Sequence, residues 1–199
     1  MIPIRKSIGG IGNLMFKHAY LWAQMRDGVI PDVYVQGKSY WQEYEGEIKA
    51  MFGAEIGSIP MVGLQIRRGD YLTKHDFYVD LTETQYYQQA VGYFPDDKFL
   101  IFCYDRQDPE QDKKDREWTI EFLDEFIAGR YELWEPQGET DDLNAFAGCK
   151  SQIMANGSFA WWSAYLNPNP DKKVICPSMK NWFMDGVPRV ELLDEWIKI

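Results

Sequence analysis

The sequence predicts an α/β protein of Rossmann-like type, with a mostly parallel sheet that is covered by helices. Short runs rich in Val, Ile, Leu and Phe alternate along the chain with longer, helix-like segments. This alternation is typical of parallel strands joined by helical crossovers. A hydrophobic content of 45% and a length of 199 residues are typical of a globular protein with a substantial core.

Residues 1–60 contain two predicted strands and two predicted helices. The strands are expected at residues 2–8 and 32–36, and the helices at residues 13–28 and 40–52. A glycine-rich turn at residues 9–12 separates the first strand from the first helix, and Gly28 ends that helix. The apolar face of the first helix consists of Met15, Ala19, Trp22 and Met25. Residues 53–60 are a connector.

Residues 61–199 show a more regular pattern. Strands are expected at residues 61–66, 98–103, 131–134, 152–155 and 173–176, and helices at residues 83–94, 108–127, 141–149 and 158–166. Thr82 and Gln85 have the spacing of a capping box at the start of the first of these helices. Asp108-Pro109 is a typical start for the second helix. Five strands with helices between them predict the helix-covered parallel sheet.

Composition excludes several classes of function. A net charge of −10 and a pI near 4.7 argue against a nucleic-acid groove or an anionic membrane surface. The cysteines Cys103, Cys149 and Cys176 lack paired spacing and are expected to be reduced, buried thiols. With only two histidines, a structural zinc site is not expected. Residues 1–28 do not resemble a signal peptide, and no apolar run approaches membrane-spanning length, which predicts a soluble cytoplasmic protein.

The segment from Val62 to Tyr71 carries the strongest functional signal. It is an apolar, β-branched strand that ends at Arg67, Arg68, a glycine and Asp70. In open α/β sheets, ligands bind at the carboxyl ends of the strands. Guanidinium groups match phosphate oxygens, so the pair suggests a site for a phosphorylated small molecule. The alternative is a salt-bridge network with Asp70 or with the acidic helices, and the spacing alone leaves both open.

Two glycine-containing turns precede predicted helices. Residues 9–13 lie between a strand and a helix, and Asn156-Gly157-Ser158 precedes the helix at residues 158–166. Such turns bring backbone amides and the positive end of the helix dipole to a ligand. Ser158 is either an N-cap, a ligand contact or both. Trp161 and Trp162 in the second of these helices are expected to be core residues.

Four ordered blocks resemble glycosyltransferase family 11, the α-1,2-fucosyltransferases. Residues 9–19 resemble the family's GGxGNQxFxYA opening, and Gln65-Ile-Arg-Arg-Gly-Asp-Tyr71 resembles its HxRRGDY signature. Residues 142–162 resemble its D(F/L)xLM…C…IANSTFSWWGAWLN block. The stretch from Lys173 to Phe183, with Leu193 to Trp196, resembles its closing KIVIAPxxWF…W segment. The matches occur in the family's order and extend almost to the C-terminus.

The resemblance implies a GT-B-like architecture and a defined chemistry. The expected reaction is the inverting transfer of L-fucose from GDP-fucose to a hydroxyl of a glycan acceptor, with an α-1,2 linkage to galactose. The expected partners are GDP-fucose and the acceptor, and no metal or cofactor is expected. Two alternatives remain open, namely a GDP-sugar-binding module without turnover and a transferase that uses another GDP-sugar such as GDP-mannose.

The resemblance also implies roles for individual residues. Arg67 is expected to neutralise the β-phosphate, and Arg68 to support the site. Asp70 is the first candidate for the catalytic base, and His18 is the second. Asp142 is expected to contact the guanine or ribose, while the other contacts surround the diphosphate and fucose. The complete set of expected donor contacts is Gly10, Gly12, Asn13, Gln65, Arg67, Arg68, Asp142, Asn156, Ser158 and Phe159.

The chain also departs from the family's pattern. Gln65 replaces the histidine of the signature, and Leu14, His18, Gly157 and Ala160 are further replacements. The segment between the first two blocks is also short. The predicted division is therefore a reduced acceptor-side lobe at residues 1–60 and a donor-binding domain at residues 61–199, which a homodimer partner could complete. Three aromatic residues of the first lobe form either a sugar-stacking platform or core, namely Tyr40, Trp41 and Tyr44.

Overall fold

A six-stranded, entirely parallel sheet forms the centre of the part of the chain that the structure describes. The computed structural model describes residues 11–27, 37–53, 56–73, 76–103 and 109–199. The strands are β1 (Ile59–Gln65), β2 (Phe99–Phe102), β3 (Tyr131–Leu133), β4 (Cys149–Ile153), β5 (Val174–Cys176) and β6 (Ile197–Lys198). Their order across the sheet is β3-β2-β1-β4-β5-β6. The predicted α/β, Rossmann-like class is confirmed.

The direction of winding reverses between β1 and β4. The chain enters the sheet at its centre, winds outward through β2 and β3, and returns to the other side of β1 for β4 to β6. Gly63 of β1 is consequently paired with Leu100 on one side and with Gln152 on the other. A crevice forms at such a reversal, outside the carboxyl ends of the two central strands.

Helices cover both faces of the sheet. They are α1 (Ile11–Asp27), α2 (Glu45–Phe52), α3 (Tyr86–Val91), α4 (Pro109–Ile127), α5 (Glu139–Gly148) and α6 (Ser158–Leu166). Helices α1, α2, α5 and α6 share one hydrophobic cluster with one face of the sheet, and α3 and α4 share a second cluster with the other face. Parallel strands that are covered on both sides form continuous apolar runs rather than an alternating pattern, as in β2 (FLIF) and β5 (VIC), whose residues are all buried.

Helix α6 is buried around almost its whole circumference. Trp161 and Trp162 are fully buried, and the ring of Phe16 from α1 contacts both of them at centroid distances of 4.8 and 5.1 Å. Trp41 stacks on Trp162 at 5.5 Å with nearly parallel rings. The core interpretation is therefore confirmed for both tryptophans of α6, and Trp41 is also a core residue. Tyr44 packs partly buried against the same cluster.

The remaining aromatic residue of the predicted sugar-stacking platform has a different environment. Tyr40 is exposed, and it contacts Tyr20 of α1 edge to face at 5.9 Å. The predicted helix at residues 40–52 is divided here, because two short 3-10 turns, Lys38–Tyr40 and Gln42–Tyr44, precede α2. A continuous sugar-binding platform of three exposed rings is therefore not formed.

The predicted capping box at Thr82 was wrong. Asp80 caps a 3-10 turn at Leu81–Glu83, where its carboxylate accepts a hydrogen bond of 2.9 Å from the backbone amide of Thr82. The hydroxyl of Thr84 then accepts from the amide of Tyr86 at 3.1 Å, where α3 begins. The side chains of Asp and Thr can replace backbone partners in this way, so they begin a turn before the helix does.

Other boundaries differ from the predictions by a few residues. Strand β4 begins at Cys149, which was assigned to the preceding helix, and the two-residue strand β6 was not predicted. The predicted strands at residues 2–8 and 32–36 lie outside the described residues. The division of the chain at residue 60 stays a prediction, and α1 and α2 pack against the same face of the sheet as α5 and α6.

All three cysteines are free and buried, as predicted. Burial raises the pKa of Cys103 to about 11 and the pKa values of Cys149 and Cys176 to about 12. We therefore expect the native thiols to react with Ellman's reagent only on unfolding, since about one Cys103 in a thousand is a thiolate at about pH 8. Absorbance traces with and without guanidinium chloride measure this. Rapid reaction of one thiol in the native protein would contradict it.

Candidate functional site at the sheet reversal

The segments that leave β1 and β4 meet at the crevice between these two strands. Beyond Gln65 the chain passes Arg67 and Arg68 and enters a 3-10 segment, Gly69–Thr73. Beyond Ile153 it turns at Asn156 and begins α6. Both segments continue directly from central strands, so their positions are fixed by the hydrogen bonding of the sheet.

The N-termini of two helices meet at this point. The backbones of α1 and α6 touch, because a Cβ atom at Gly12 would lie 2.5 Å from the carbonyl carbon of Ser158 and 2.6 Å from the amide nitrogen of Phe159. Only glycine permits this approach. Each helix directs unpaired amides and the positive end of its dipole to this end. The arrangement is suited to an anionic ligand.

No side chain caps the first turn of α6. The N-cap is Gly157, in an extended conformation, and no side-chain hydrogen bond caps the helix. Ser158 is therefore the first helical residue rather than the N-cap, which corrects that interpretation of the sequence. Since the cap residue has no side chain to occupy the helix amides, they can be satisfied by a ligand.

Arg67 lies two residues beyond the carboxyl end of β1, at the sheet reversal. Its side chain is exposed, and its guanidinium carbon lies 4.9 Å from the centre of the Tyr71 ring. The hydroxyl of Tyr71 donates a hydrogen bond of 2.8 Å to the carbonyl oxygen of Asn156. Tyr71 therefore joins the segment that carries Arg67 to the turn that begins α6, and it fixes the distance between them.

Asn156 connects the turn before α6 to two further segments. Its side chain is almost completely buried, and its amide nitrogen donates to the carbonyl oxygens of Val79 at 2.8 Å and Trp182 at 3.1 Å. An asparagine suits this buried position, because a side-chain amide supplies two donors from one nitrogen without a charge. Its predicted contact with the donor stays a prediction.

Arg68 is bound to helix α4. Its Nε donates to Oδ1 of Asp115 at 3.1 Å, and its guanidinium lies 3.7 Å from the centre of the Trp118 ring. The other carboxylate oxygen of Asp115 accepts from the amide of Gly69 at 2.9 Å. Gly69 has a φ of +45°, a conformation that favours glycine. The two arginines thus differ, since Arg68 anchors the loop while Arg67 lies at the crevice.

Gln65 lies under the crevice as the last residue of β1. Its exposed fraction is 7%, and the alternation of the strand places it on the same face of the sheet as Gly63, which packs against Phe146 of α5. Within the part of the chain that the structure describes, its buried Oε1 has no hydrogen-bond partner. A buried polar atom of this kind is normally satisfied by a ligand or an ordered water.

Asp142 holds the segment that follows β3. It is fully buried in α5, and its Oδ1 accepts hydrogen bonds from the indole nitrogen of Trp134 at 2.8 Å and from the amide of Gln137 at 2.9 Å. The predicted contact of Asp142 with guanine or ribose stays a prediction. Phe159 of α6 is half-buried and stacks on Phe146 of α5, with ring centroids 6.1 Å apart.

The remaining predicted site residues are placed only in part. Asn13 and His18 are half-buried residues of α1. Gly10 lies outside the described residues. The backbone of Asp70 belongs to the 3-10 segment after β1, and its side chain lies outside the described part of the structure. The roles of Asp70 and His18 as candidate bases stay predictions.

The sequence profile described as Glycosyl transferase family 11 matches residues 39–199. The chain belongs to glycosyltransferase family 11. The matched region contains the whole parallel sheet together with α2 to α6, and this architecture agrees with the predicted GT-B-like fold. It includes Gln65, Arg67 and Ser158, so most of the crevice belongs to the family 11 match.

Two curated relatives have names that describe glycosyl transfer. The chain is 28% identical over 141 residues to the O-antigen biosynthesis glycosyltransferase WbnK of Escherichia coli. This match covers 68% of this chain and 43% of the relative. It is 25% identical over 166 residues to an alpha-1,2-colitosyltransferase of Escherichia coli, and this match covers 74% of this chain and 54% of the relative. The chain therefore spans about half the length of these relatives. No solved structure matches it.

Neither a metal-binding cluster nor a membrane-spanning helix occurs among the described residues of this family 11 chain. No group of three or more His, Cys, Asp and Glu side chains is arranged to hold a metal ion among them. No helix in the same part of the chain has the length and apolarity needed to cross a membrane. The salt-bridge alternative is confirmed for Arg68, whose partner Asp115 lies on the acidic helix α4. The individual residue was not predicted, and neither were the partners of Asn156, because Asp115, Val79 and Trp182 are distant in sequence. Tyr71 had a local signal, since it ends the RRGDY motif.

We expect Gly12→Ala to destabilise the protein by about 1–3 kcal/mol, because the new methyl group would overlap the backbone of α6. Gly46→Ala is the matched control, since it is also a helical glycine and nothing lies within 4 Å of its Cβ position. That change should be neutral or stabilise by up to about 1 kcal/mol. Urea unfolding followed by circular dichroism measures both. Equal effects would contradict the close contact.

We expect Arg68→Ala to lower the free energy of unfolding by about 1–3 kcal/mol, because Asp115 would be left buried without its charged donor. Lys113→Ala removes a cation from the same helix, where its ion pair with Glu117 is long and exposed, and should cost less than about 0.5 kcal/mol. The same unfolding assay compares them. A change as small for Arg68 as for Lys113 would show that Arg68 does not anchor the loop.

Proposed function

We propose that this chain binds GDP-fucose and transfers L-fucose, with inversion, to a hydroxyl of a glycan acceptor, giving an α-1,2 linkage to galactose. One observation supports this most directly. The N-termini of α1 and α6 meet beside Arg67, at the sheet reversal of a chain that belongs to family 11. The diphosphate would occupy this meeting point, where amides and a guanidinium are its natural partners.

The charge balance of the protein supports an anionic ligand at this point. The chain carries a net charge of −10, so its surface repels a nucleoside diphosphate except where positive groups are concentrated. The crevice has such a concentration, formed by one guanidinium and two helix dipoles. Because these groups are fixed by the sheet and by the contact at Gly12, they need little rearrangement when the ligand binds.

The same groups act on the reaction. In the transfer, the bond between C1 of fucose and the β-phosphate oxygen breaks, and its electron pair leaves with GDP. A new bond forms between C1 and the acceptor oxygen, whose proton passes to a base. Negative charge grows on the β-phosphate as the first bond loosens, and Arg67 with the amides of α6 stabilises it there. Removal of one such donor typically costs a hundredfold or more in rate.

The proton of the acceptor hydroxyl also needs a base to accept it. Asp70 is assigned first because it follows Arg67 by three positions, and His18 of α1 is assigned second. A reaction in which the donor bond loosens early makes the acceptor oxygen acidic only late, so the base contributes less than the phosphate-binding groups. The proposal assigns neutralisation of the diphosphate to guanidinium and amide groups and includes no metal.

A different donor sugar is the second candidate. One relative is named an alpha-1,2-colitosyltransferase. This name indicates that the transferred sugar differs among chains similar to this one. In this candidate the nucleotide and the chemistry stay the same, and the sugar of the GDP donor changes. The GDP-binding groups would be shared, so competition between GDP-sugars distinguishes the two candidates.

We expect GDP and GDP-fucose to raise the unfolding temperature of the wild type, and UDP-galactose to have no effect. Arg67→Ala should weaken GDP binding by about ten- to a hundredfold, because it removes a charge-assisted hydrogen-bond donor. Lys113→Ala is the control, since it removes the same charge from an exposed position on α4. Thermal shift and titration calorimetry measure these effects, with GDP-mannose included to rank the sugars.

The outcomes separate the candidates. Donor-dependent transfer to an acceptor or to water, fastest with GDP-fucose, supports the proposal, while a faster reaction with another GDP-sugar supports the second candidate. Tight GDP binding without turnover would instead indicate a binding module. Failure of every guanine nucleotide to bind the wild type would contradict all three.

A further inference from the structure

Two adjacent tyrosines of α3 reach the carboxyl ends of the strands from one face of the sheet. Tyr86 and Tyr87 are buried, with exposed fractions of 3% and 0%. They belong to the hydrophobic cluster on the face opposite the one that α1, α2, α5 and α6 cover. Neighbouring residues of a helix are turned by about 100° from each other, so the two side chains diverge. Each hydroxyl consequently binds a different part of the sheet.

The hydroxyl of Tyr87 binds the end of β1. It donates a hydrogen bond of 3.0 Å to the carbonyl oxygen of Gln65, and the backbone amide of Arg67 also hydrogen-bonds to it. The last residue of β1 that pairs with β4 is Leu64, so Gln65 lies at the point where these two strands separate. Tyr87 therefore joins the peptide groups on both sides of Ile66, directly before the side chain of Arg67.

The phenol of Tyr87 is suited to this role by its charge state and by its packing. Burial raises the pKa of Tyr87, so the phenol stays protonated and donates at neutral pH and well above it. A hydroxyl that both donates and accepts satisfies two buried backbone groups with one side chain. The ring is fixed as well, since its centroid lies 5.1 Å from that of Tyr86 and 6.0 Å from that of Phe122 on α4.

The hydroxyl of Tyr86 binds the ends of two other strands. It donates to the carbonyl oxygens of Met154 at 2.6 Å and Ile175 at 3.2 Å, which belong to the ends of β4 and β5. The turn that follows Met154 is additionally held by the side chain of Asn156. Tyr86 thus shares its residue type, its helix and its burial with Tyr87, but it supports a different part of the sheet.

We infer that Tyr87 is a positioning residue for the transfer reaction, and that it acts through Arg67 by fixing the two peptide groups that precede this arginine. The inference rests on the proposed function. A guanidinium stabilises the charge that grows on the β-phosphate only if it is already in place, and this side chain departs from backbone that Tyr87 holds. Because Tyr87 is fully buried on the face opposite α1 and α6, it would act without touching the donor.

The test compares Tyr87→Phe with Tyr86→Phe, which removes the same atom from the preceding residue of α3. Both variants lose a buried hydrogen bond and should lower the unfolding temperature by similar amounts. Tyr87→Phe should lower kcat about tenfold and weaken GDP binding less than about threefold, because the misplaced guanidinium matters most where charge develops. Tyr86→Phe should change kcat less than about twofold.

The measurements use the GDP-sugar that the wild type converts fastest, which we expect to be GDP-fucose, with a β-galactoside or water as the acceptor. Release of GDP gives kcat, titration calorimetry gives the affinity for GDP, and circular dichroism gives the unfolding temperatures. Equal losses of kcat in Tyr87→Phe and Tyr86→Phe would overturn the inference, because a general loss of stability would then account for both.

A double-variant cycle shows whether Tyr87 acts through Arg67. In a protein that already carries Arg67→Ala, Tyr87→Phe should change kcat less than about twofold, because the group that it positions is absent. The full tenfold loss in that background would overturn the inference while the proposed function stands. Wild type that converts no GDP-sugar would overturn the proposed function and this inference together, whether or not it binds GDP.

Discussion

The contact between the backbones of α1 and α6 at Gly12 constrains the geometry of the whole crevice. Two helix N-termini repel each other electrostatically, because each carries a partial positive charge. The burial that α6 shares with α1 offsets this repulsion, since Phe16, Trp161 and Trp162 are in mutual contact and fully buried. Burial of each large aromatic side chain contributes about 1.5–3 kcal/mol. The core therefore holds together two helix ends that an anion would further stabilise.

The groups that surround the crevice are positioned by partners from distant parts of the chain. Tyr71 joins the loop after β1 to the turn after β4, and Asn156 joins that turn to Val79 and Trp182. A side chain in this network cannot move without breaking a hydrogen bond to a buried backbone carbonyl, which is costly. The loop after β1, the turn before α6 and the segments that carry Val79 and Trp182 are thus parts of one hydrogen-bonded unit.

The sequence was sufficient to predict most helices and strands, but it was not sufficient to predict the contacts between side chains that are distant in sequence. Local patterns predicted β1 with its terminal arginines, the start of α6 at Ser158 and the burial of Trp161 and Trp162, because apolar periodicity and turn residues act over a few positions. They failed at Thr82, where Asp80 begins a turn earlier than the expected helix. They also could not separate Arg67 from Arg68, since the residue that distinguishes them, Asp115, lies on α4 and comes near only through the fold.

The different environments of these two arginines explain why the chain has a pair. The carboxylate of Asp115 binds both the side chain of Arg68 and the amide of Gly69, so it fixes the start of the 3-10 segment after β1. That segment turns at Gly69, with a positive φ, and thereby brings Tyr71 beneath Arg67. Without Arg68, Asp115 would hold this loop only through the amide of Gly69, so the segment that carries Arg67 and Tyr71 would be less firmly fixed. In the proposed reaction a transition state is stabilised only by donors that are already in place, so the anchored neighbour would increase the effect of Arg67.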